Sequence, residues 1–161
     1  MDPDAFLSAR GAADVAHPGG TLLAHLRRTA ALLESWDVRP ALVTAGLGHA
    51  VYGTDSFPVV LATLDEREAV RAVLGDEAEA IVYRYAASDR PVTWDAIDRP
   101  AVPYRDRFTG ETTTLEGAEL ADYWTLSTAN ELDLVERVPD GPSVLPLLRR
   151  GAYLLPPSVH W

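Results

Sequence analysis

The chain lacks two residue types that carry much enzyme chemistry: its 161 residues contain no cysteine and no lysine. Without cysteine there is no disulfide framework, no thiolate zinc site and no cysteine nucleophile. Without lysine, all 14 basic residues are arginines, and Schiff-base chemistry through a lysine amine is excluded. Long apolar runs and a recognisable signal peptide are also missing, so we expect a cytoplasmic protein without a membrane-spanning segment.

Positive charge is scarce, because 24 acidic residues outweigh the arginines and give a net charge of −10. Nucleic acids and anionic membranes both require basic surface, so we expect neither as a partner. A small molecule is the expected partner, and local arginines could still bind one that is anionic, since a guanidinium pairs bidentately with carboxylate or phosphate. The candidate substrate-binding residues are Arg28, Arg84, Arg90 and Asn130. The sequence predicts no oligomeric state.

The hydrophobic pattern predicts one mostly α-helical domain over residues 1–161, with 143–161 as a C-terminal tail. Helices are predicted at 4–16, 22–36 and 41–52, after capping boxes at Thr63–Glu66 and Asp76–Glu79, and over 116–138. Residues 101–115 are rich in Thr, Tyr, Phe and Val around a Thr-Gly turn, which predicts a small β-hairpin. The fold class is therefore mostly α, a helical bundle with a hairpin insertion.

Two histidines lie on the inward faces of consecutive predicted helices. His25 is at the centre of an apolar stripe, and His49 shares a face with Leu42 and Ala45. Gly46 and Gly48 beside it indicate close approach of another backbone or a ligand. Each histidine could be an ordinary core residue bonded to a neighbour, but imidazoles from adjacent helices can also bind zinc, manganese or iron. His17, before the first of these helices, and Asp89, at the end of a later one, are further candidate ligands.

Several short motifs resemble the HD superfamily of helical metal-dependent enzymes, above all the alarmone hydrolases of the stringent response. The matching segments are "LAHL", "AGLGHA", the Thr-Asp turn at 54–55 and "VLGDEAEAIVYRYAASD". The chain is also similar to a bacterial HD-like family with the motif His-x-x-Tyr-Gly-Thr, here residues 49–54, preceded by Gly-Thr-Leu-x-x-His-Leu and followed by Thr-Gly-Glu and Ala-Asn-Glu. The resemblance covers residues 17–136.

The resemblance implies an HD-like bundle and a hydrolase-like enzyme with a metal, but one ligand of the family is missing. Ala50 stands where the His-Asp pair has its aspartate, and Tyr52-Gly53 replaces a Glu-Asp pair that activates water. The expected cofactor is therefore a single divalent ion, Mn, Fe or Zn, held by His25, His49 and Asp89, with His17 or Asp55 as a fourth ligand. The candidate proton-transfer residues are Tyr52, Asp55 and Glu131.

Three functions remain open at this stage. The first is a metal-dependent enzyme of specialised metabolism, which acts on a small metabolite as a hydrolase, isomerase, cyclase or lyase. The second is a metal-free pocket in which His25 and His49 act directly as acid and base. The third is a domain that binds a ligand or partner without catalysis. Fold alone does not separate them, because function depends on the site.

Overall fold

Eight α-helices and two short antiparallel hairpins form the protein, in a computed structural model that describes residues 1–161. The helices are α1 (Pro3–Ala9), α2 (Leu22–Ser35), α3 (Pro40–Gly48), α4 (Arg67–Leu74), α5 (Asp76–Ala87), α6 (Arg90–Trp94), α7 (Gly117–Leu134) and α8 (Leu145–Arg150). The hairpins are β1 (Ala16–His17) with β2 (Gly20–Thr21), and β3 (Ala101–Arg105) with β4 (Thr112–Glu116). The predicted class, mostly α with a small hairpin before the last long helix, is confirmed.

The helix starts follow local side-chain chemistry. The Thr21 hydroxyl accepts a hydrogen bond from the Ala24 amide at the start of α2, and Pro40 occupies the first turn of α3. The predicted capping box of Thr63 and Glu66 is also present. None of the helices combines the length and hydrophobicity that crossing a bilayer requires.

Helices α2, α3, α5 and α7 pack against one another around the main core. Their buried faces carry Leu22, Leu26, Leu33, Val82 and Trp124, which exclude water completely or nearly so. Burial of such side chains is the main stabilising term of the bundle. Because α2, α3 and α7 meet here, polar residues on their inner faces are brought together in the core.

Gly46 sets the distance between α2 and α3. A Cβ atom at this position would overlap Leu33 Cδ1 and would lie 3.4 Å from the Ala30 Cα atom of the facing helix. We therefore expect the Gly46→Ala variant to lose about 1–3 kcal/mol of stability, as overpacked cores do. Urea unfolding checks this value, and a loss below about 0.5 kcal/mol would contradict the close approach.

Four predicted helix boundaries differ from the structure, and one of them is the end of the last long helix, at Leu134 rather than at residue 138. The first helix ends at Ala9 rather than at residue 16, and α3 ends at Gly48, so that His49 follows the helix as its C-cap. Asp89 was placed at the end of a helix, but α5 ends at Ala87 and Asp89 is the N-cap of the short helix α6, which begins at Arg90-Pro91 because proline is well suited to the first helical turn. This short helix carries Arg90 and Trp94 to the site described next.

Candidate functional site

A cavity of about 380 Å³ opens between the ends of α2, α3 and α7, on one side of the bundle. Its volume is within the range of small-molecule sites. Exposed Pro18 and Ser56 are part of its wall, which places the opening between the β1–β2 turn and the loop after α3. The wall residues are His17, Pro18, Leu22, His25, His49, Ala50, Thr54, Ser56, Phe57, Arg90, Trp94, Asn130, Glu131 and Leu134.

The two predicted histidines meet at the inner wall of this cavity. Their Nε2 atoms are 3.2 Å apart, and the side chains are only 1 % and 2 % exposed. Each Nδ1 atom is held by an acceptor, His25 by an Asp133 carboxylate oxygen at 2.7 Å and His49 by the Gly46 carbonyl oxygen at 2.7 Å. The hydrogen bonds at the two Nδ1 atoms therefore fix both rings, and the two Nε2 atoms point at one another.

These contacts determine where the protons lie. A carbonyl oxygen and an ionised carboxylate only accept hydrogen bonds, so both Nδ1 atoms carry a proton. The His25 Nε2 atom is also 2.9 Å from the Asn130 Oδ1 atom, while the Asn130 amide donates to Glu131. Without a further proton, two imidazole lone pairs and an amide oxygen would face one another unpaired. A proton on His25 Nε2 resolves this conflict, because it can be donated to His49 Nε2 and Asn130 Oδ1.

The electrostatic surroundings disfavour this proton on His49. Burial, followed by the charge of His25, lowers the pKa of His49 to about 3, so His49 is neutral at pH 7. Burial raises the pKa of Asp133, but hydrogen bonds from His25 and Arg28 outweigh it and hold that pKa well below its usual range. Asp133 is thus a carboxylate beside His25. When the pair holds a further proton, His25 therefore carries it and donates to a neutral His49 imidazole.

Burial of neutral histidines predicts a stability that falls in acid. Because the pKa of His49 is about 3 when folded and about 6.5 when unfolded, the unfolded chain binds more protons between these values. Stability from this group is full above pH 6.5 and declines as the pH falls, by about 2 kcal/mol from pH 7 to pH 5. Urea unfolding at both pH values checks this. His49→Asn is expected to reduce the difference and His160→Asn to preserve it; an equal pH dependence in His49→Asn would contradict the assignment.

Arg90 places a positive charge in the same wall. Its guanidinium donates to the Tyr85 hydroxyl at 2.7 Å and to a Glu131 carboxylate oxygen at 3.4 Å. Burial lowers the pKa of Arg90, but Tyr85 and Glu131 outweigh it, so the pKa lies above its ordinary value. Burial also raises the pKa of Glu131. The wall therefore offers a guanidinium that can bind an anion and a carboxyl group that can exchange a proton.

His17 completes a group of three imidazoles. Its ring stacks on His25 with centroids 4.2 Å apart, and its buried Nδ1 atom has no hydrogen-bond partner. Burial, followed by the charge of His25, lowers the pKa of His17 to about 4. Strand β1 of the small β1–β2 hairpin thus brings a neutral imidazole into the pocket.

The divalent ion implied by the HD resemblance does not fit these residues. The converging donors are two imidazole nitrogens and one amide oxygen, without a carboxylate, and no group of three or more His, Cys, Asp or Glu side chains is placed to hold a metal. The buried guanidinium of Arg90 also acts on His49 and disfavours a second cation there. The usual non-haem iron site adds a carboxylate to two histidines, and manganese favours oxygen ligands.

The predicted ligand Asp89 is not brought to the histidines. Its backbone amide donates to the Arg105 carbonyl, which ties it to strand β3, and its carboxylate lies 3.9 Å from the Arg105 guanidinium. Asp89 is absent from the cavity wall. The prediction required the end of α5 to lie in the bundle interior, but the chain turns there toward the β3–β4 hairpin.

Two predicted proton-transfer residues also lie outside the cavity. Tyr52 is buried, and its hydroxyl donates to Glu79, which is 1 % exposed and bound bidentately by Arg67. Asp55 is exposed, and its carboxylate accepts from the Arg90 backbone amide. Tyr52 therefore closes a buried polar cluster, and Asp55 orients the start of α6. Of the three candidates, only Glu131 faces the pocket.

Of the three arginines predicted to bind substrate, only one lines the cavity. Arg90 lines the cavity, but Arg84 pairs with Glu119 on the surface and Arg28 pairs bidentately with Asp133 behind His25. Asp133 was not anticipated from the sequence. It follows Asn130 by three residues on α7, just as Arg28 follows His25 on α2, and this matched helical spacing was the available signal.

One comparison with known proteins gave a match. The family model described as Domain of unknown function (DUF6817) matches residues 6–90, which is 85 of the 161 residues and thus more than half of the chain. The chain belongs to this family. The DUF6817 segment includes His17, His25, His49 and Arg90, whereas Asn130, Glu131 and Asp133 lie beyond it on α7. No curated protein and no solved structure matches the chain.

Proposed function

We propose that this chain is a metal-independent enzyme that moves a proton on a small anionic molecule, with His25 and His49 as its acid–base pair. The observation that supports this most directly is the 3.2 Å approach of the two Nε2 atoms at the wall of a cavity, with both Nδ1 atoms held by acceptors. A histidine pair fixed in this way is well suited to proton transfer.

The two rings would play opposite roles in one step. His25 donates its Nε2 proton to one atom of the substrate, which releases the His49 Nε2 lone pair from its hydrogen bond, and His49 takes a proton from a neighbouring atom with that lone pair. Loss of the His25 charge removes one of the causes that lower the pKa of His49, so His49 becomes a better base as His25 acts. The acquired proton then crosses the 3.2 Å gap back to His25, which restores the starting state.

Arg90 would select and orient the substrate. A buried guanidinium beside the pair can bind a carboxylate or phosphate, and Asn130 can direct a polar group toward His25. Isomerisation, cyclisation and elimination all require such a proton transfer, and each can proceed without a metal. Phosphate-ester hydrolysis, which the HD resemblance implies, finds no carboxylate pair here to bind an ion and activate water.

The same proposal accounts for the resemblance to the HD superfamily. We regard the scaffold as HD-like, with the metal-binding chemistry lost at Ala50, which lines the cavity where the family has its aspartate. The small residue leaves room in the pocket for part of the substrate. A cytoplasmic enzyme that binds neither nucleic acid nor membrane is in keeping with the net charge of −10.

Incubation with a metabolite extract in deuterated water tests the proposal. Protein purified without a histidine tag is treated with a chelator, and mass spectrometry follows which small anions are consumed or acquire deuterium. We expect exchange or conversion of a specific anion that survives chelation, is lost in His49→Asn, and is retained in the matched control His160→Asn.

Two results would overturn the proposal. The first is stoichiometric Mn, Fe or Zn in the purified protein, with turnover that is lost on chelation and restored by the ion. This result would identify the protein as a metal-dependent enzyme. Retention of a metabolite by the wild type without conversion or exchange would instead identify a binding domain without catalysis.

A further inference from the structure

A second concave surface lies on the other side of Asp133 from the histidine pair. This groove has a volume of about 640 Å³ and runs between α2, the end of α7 and α8. Apolar side chains form part of its wall, among them Leu32, Leu132 and Leu145. None of the residues assigned to acid–base chemistry lines it.

Positive charge is concentrated in the groove, although the chain as a whole is acidic. Its wall carries the three guanidinium groups of Arg28, Arg137 and Arg149 against the two carboxylates of Asp133 and Glu136. Arg149 is exposed and has no carboxylate partner, and Arg137 approaches Asp133 only to 3.5 Å with 37 % of its side chain exposed. Donors thus remain free for an anion, next to an apolar surface.

Asp133 lines the groove and connects it to the histidine pair through His25. Its carboxylate accepts from His25 at 2.7 Å on one side and from Arg28 at 2.6 and 3.0 Å on the other, while its side chain is 5 % exposed. Any anion that draws Arg28 away from Asp133 leaves this carboxylate with less compensating charge. The hydrogen bond to His25 would then strengthen, because a less neutralised carboxylate is a better acceptor.

We propose that the groove binds a small molecule that combines an anionic group with an apolar body, and that its binding is sensed at His25 through Arg28 and Asp133. The ligand class includes aryl and alkyl carboxylates, sulfonates and phosphates. Binding of the anion in the groove does not depend on the proposed acid–base reaction. Only the interpretation of the His25 signal as regulation rests on the proposed function.

Binding is tested with 8-anilinonaphthalene-1-sulfonate, whose fluorescence rises in apolar surroundings, and with the uncharged N-phenyl-1-naphthylamine at equal ionic strength. We expect saturable binding of the sulfonate to one site and at least fivefold weaker binding of the neutral probe. Arg149→Gln and Arg137→Gln should each weaken sulfonate binding about fivefold or more. The matched control is Arg99→Gln, an exposed arginine outside the groove, and it should change binding less than twofold.

The signal at His25 is read from the ring nitrogen resonances of ¹⁵N-histidine-labelled protein. Saturation with the sulfonate should move the His25 Nδ1 resonance and leave His160 unchanged, and the shift should disappear in Arg149→Gln. Equal sulfonate affinity in the two groove variants and Arg99→Gln, or equal affinity for both probes, would overturn the anion site. Groove-dependent binding without a His25 shift would overturn the coupling. Neither result involves turnover, so failure here is distinct from failure of the acid–base proposal.

Discussion

His49→Asn is expected to slow turnover by about 10²–10⁴-fold while the protein remains folded. Asparagine reaches the position of Nδ1 and keeps a donor for the Gly46 carbonyl, but it has no group in the place of Nε2. The base is thus removed while its anchoring hydrogen bond is retained. His25→Asn makes the same change in the acid, since the asparagine amide can still donate to Asp133.

The measurement is the rate of deuterium exchange or conversion of the anion identified with the wild-type protein. His25→Asn, His49→Asn and the double variant are expected to be impaired to a similar extent, because residues that act as one unit are not additive. His160→Asn controls for the loss of an exposed histidine. Turnover within tenfold of wild type in His49→Asn would remove it from the chemistry.

Asp133→Ala is expected to lower stability by about 3–5 kcal/mol, the usual cost of removing one partner from a buried charge pair. The substitution leaves the His25 Nδ1–H without an acceptor and Arg28 without its bidentate carboxylate. Arg28 is 29 % exposed and recovers some hydration, so His25 should account for most of the loss. Asp133→Asn, which keeps an acceptor but not the charge, should lie between the alanine variant and wild type.

Urea unfolding at pH 7 measures these differences. Glu136→Ala is the matched control, because it removes an exposed carboxylate from the turn that follows α7 and should change stability by no more than about 0.5 kcal/mol. If Asp133→Ala and Glu136→Ala were equally stable, the network behind His25 would not contribute as described.

The histidine pair was predictable because it depends on two consecutive helices. Helical periodicity identified the inner faces of α2 and α3, and neighbouring antiparallel helices bring such faces together. Asp133 could have been found by the same reasoning applied to α7, since Asn130 and Asp133 are three residues apart. Its residue type alone does not distinguish it from a solvated aspartate, because its pairing with His25 is a tertiary contact.

Asp89 and Glu79 show where local reasoning fails. The position of Asp89 depends on the pairing of its backbone with Arg105, a contact between distant segments that no helical pattern encodes. Glu79 has the spacing of a capping box with Asp76, yet its carboxylate turns inward to Arg67 and Tyr52, and the N-cap position is Gly75. In both cases tertiary contacts overrode a local preference.

The protonation of the pair is the central claim, and long-range ¹H–¹⁵N NMR of the histidine rings at pH 7 measures it directly. Untagged protein is recorded before and after addition of excess EDTA. The account predicts that both rings carry a proton on Nδ1, that the Nε2 atom of His49 carries none, and that EDTA changes neither ring. A His49 ring protonated at Nε2, a ring of either histidine without a proton on Nδ1, or resonances that move on chelation would contradict it.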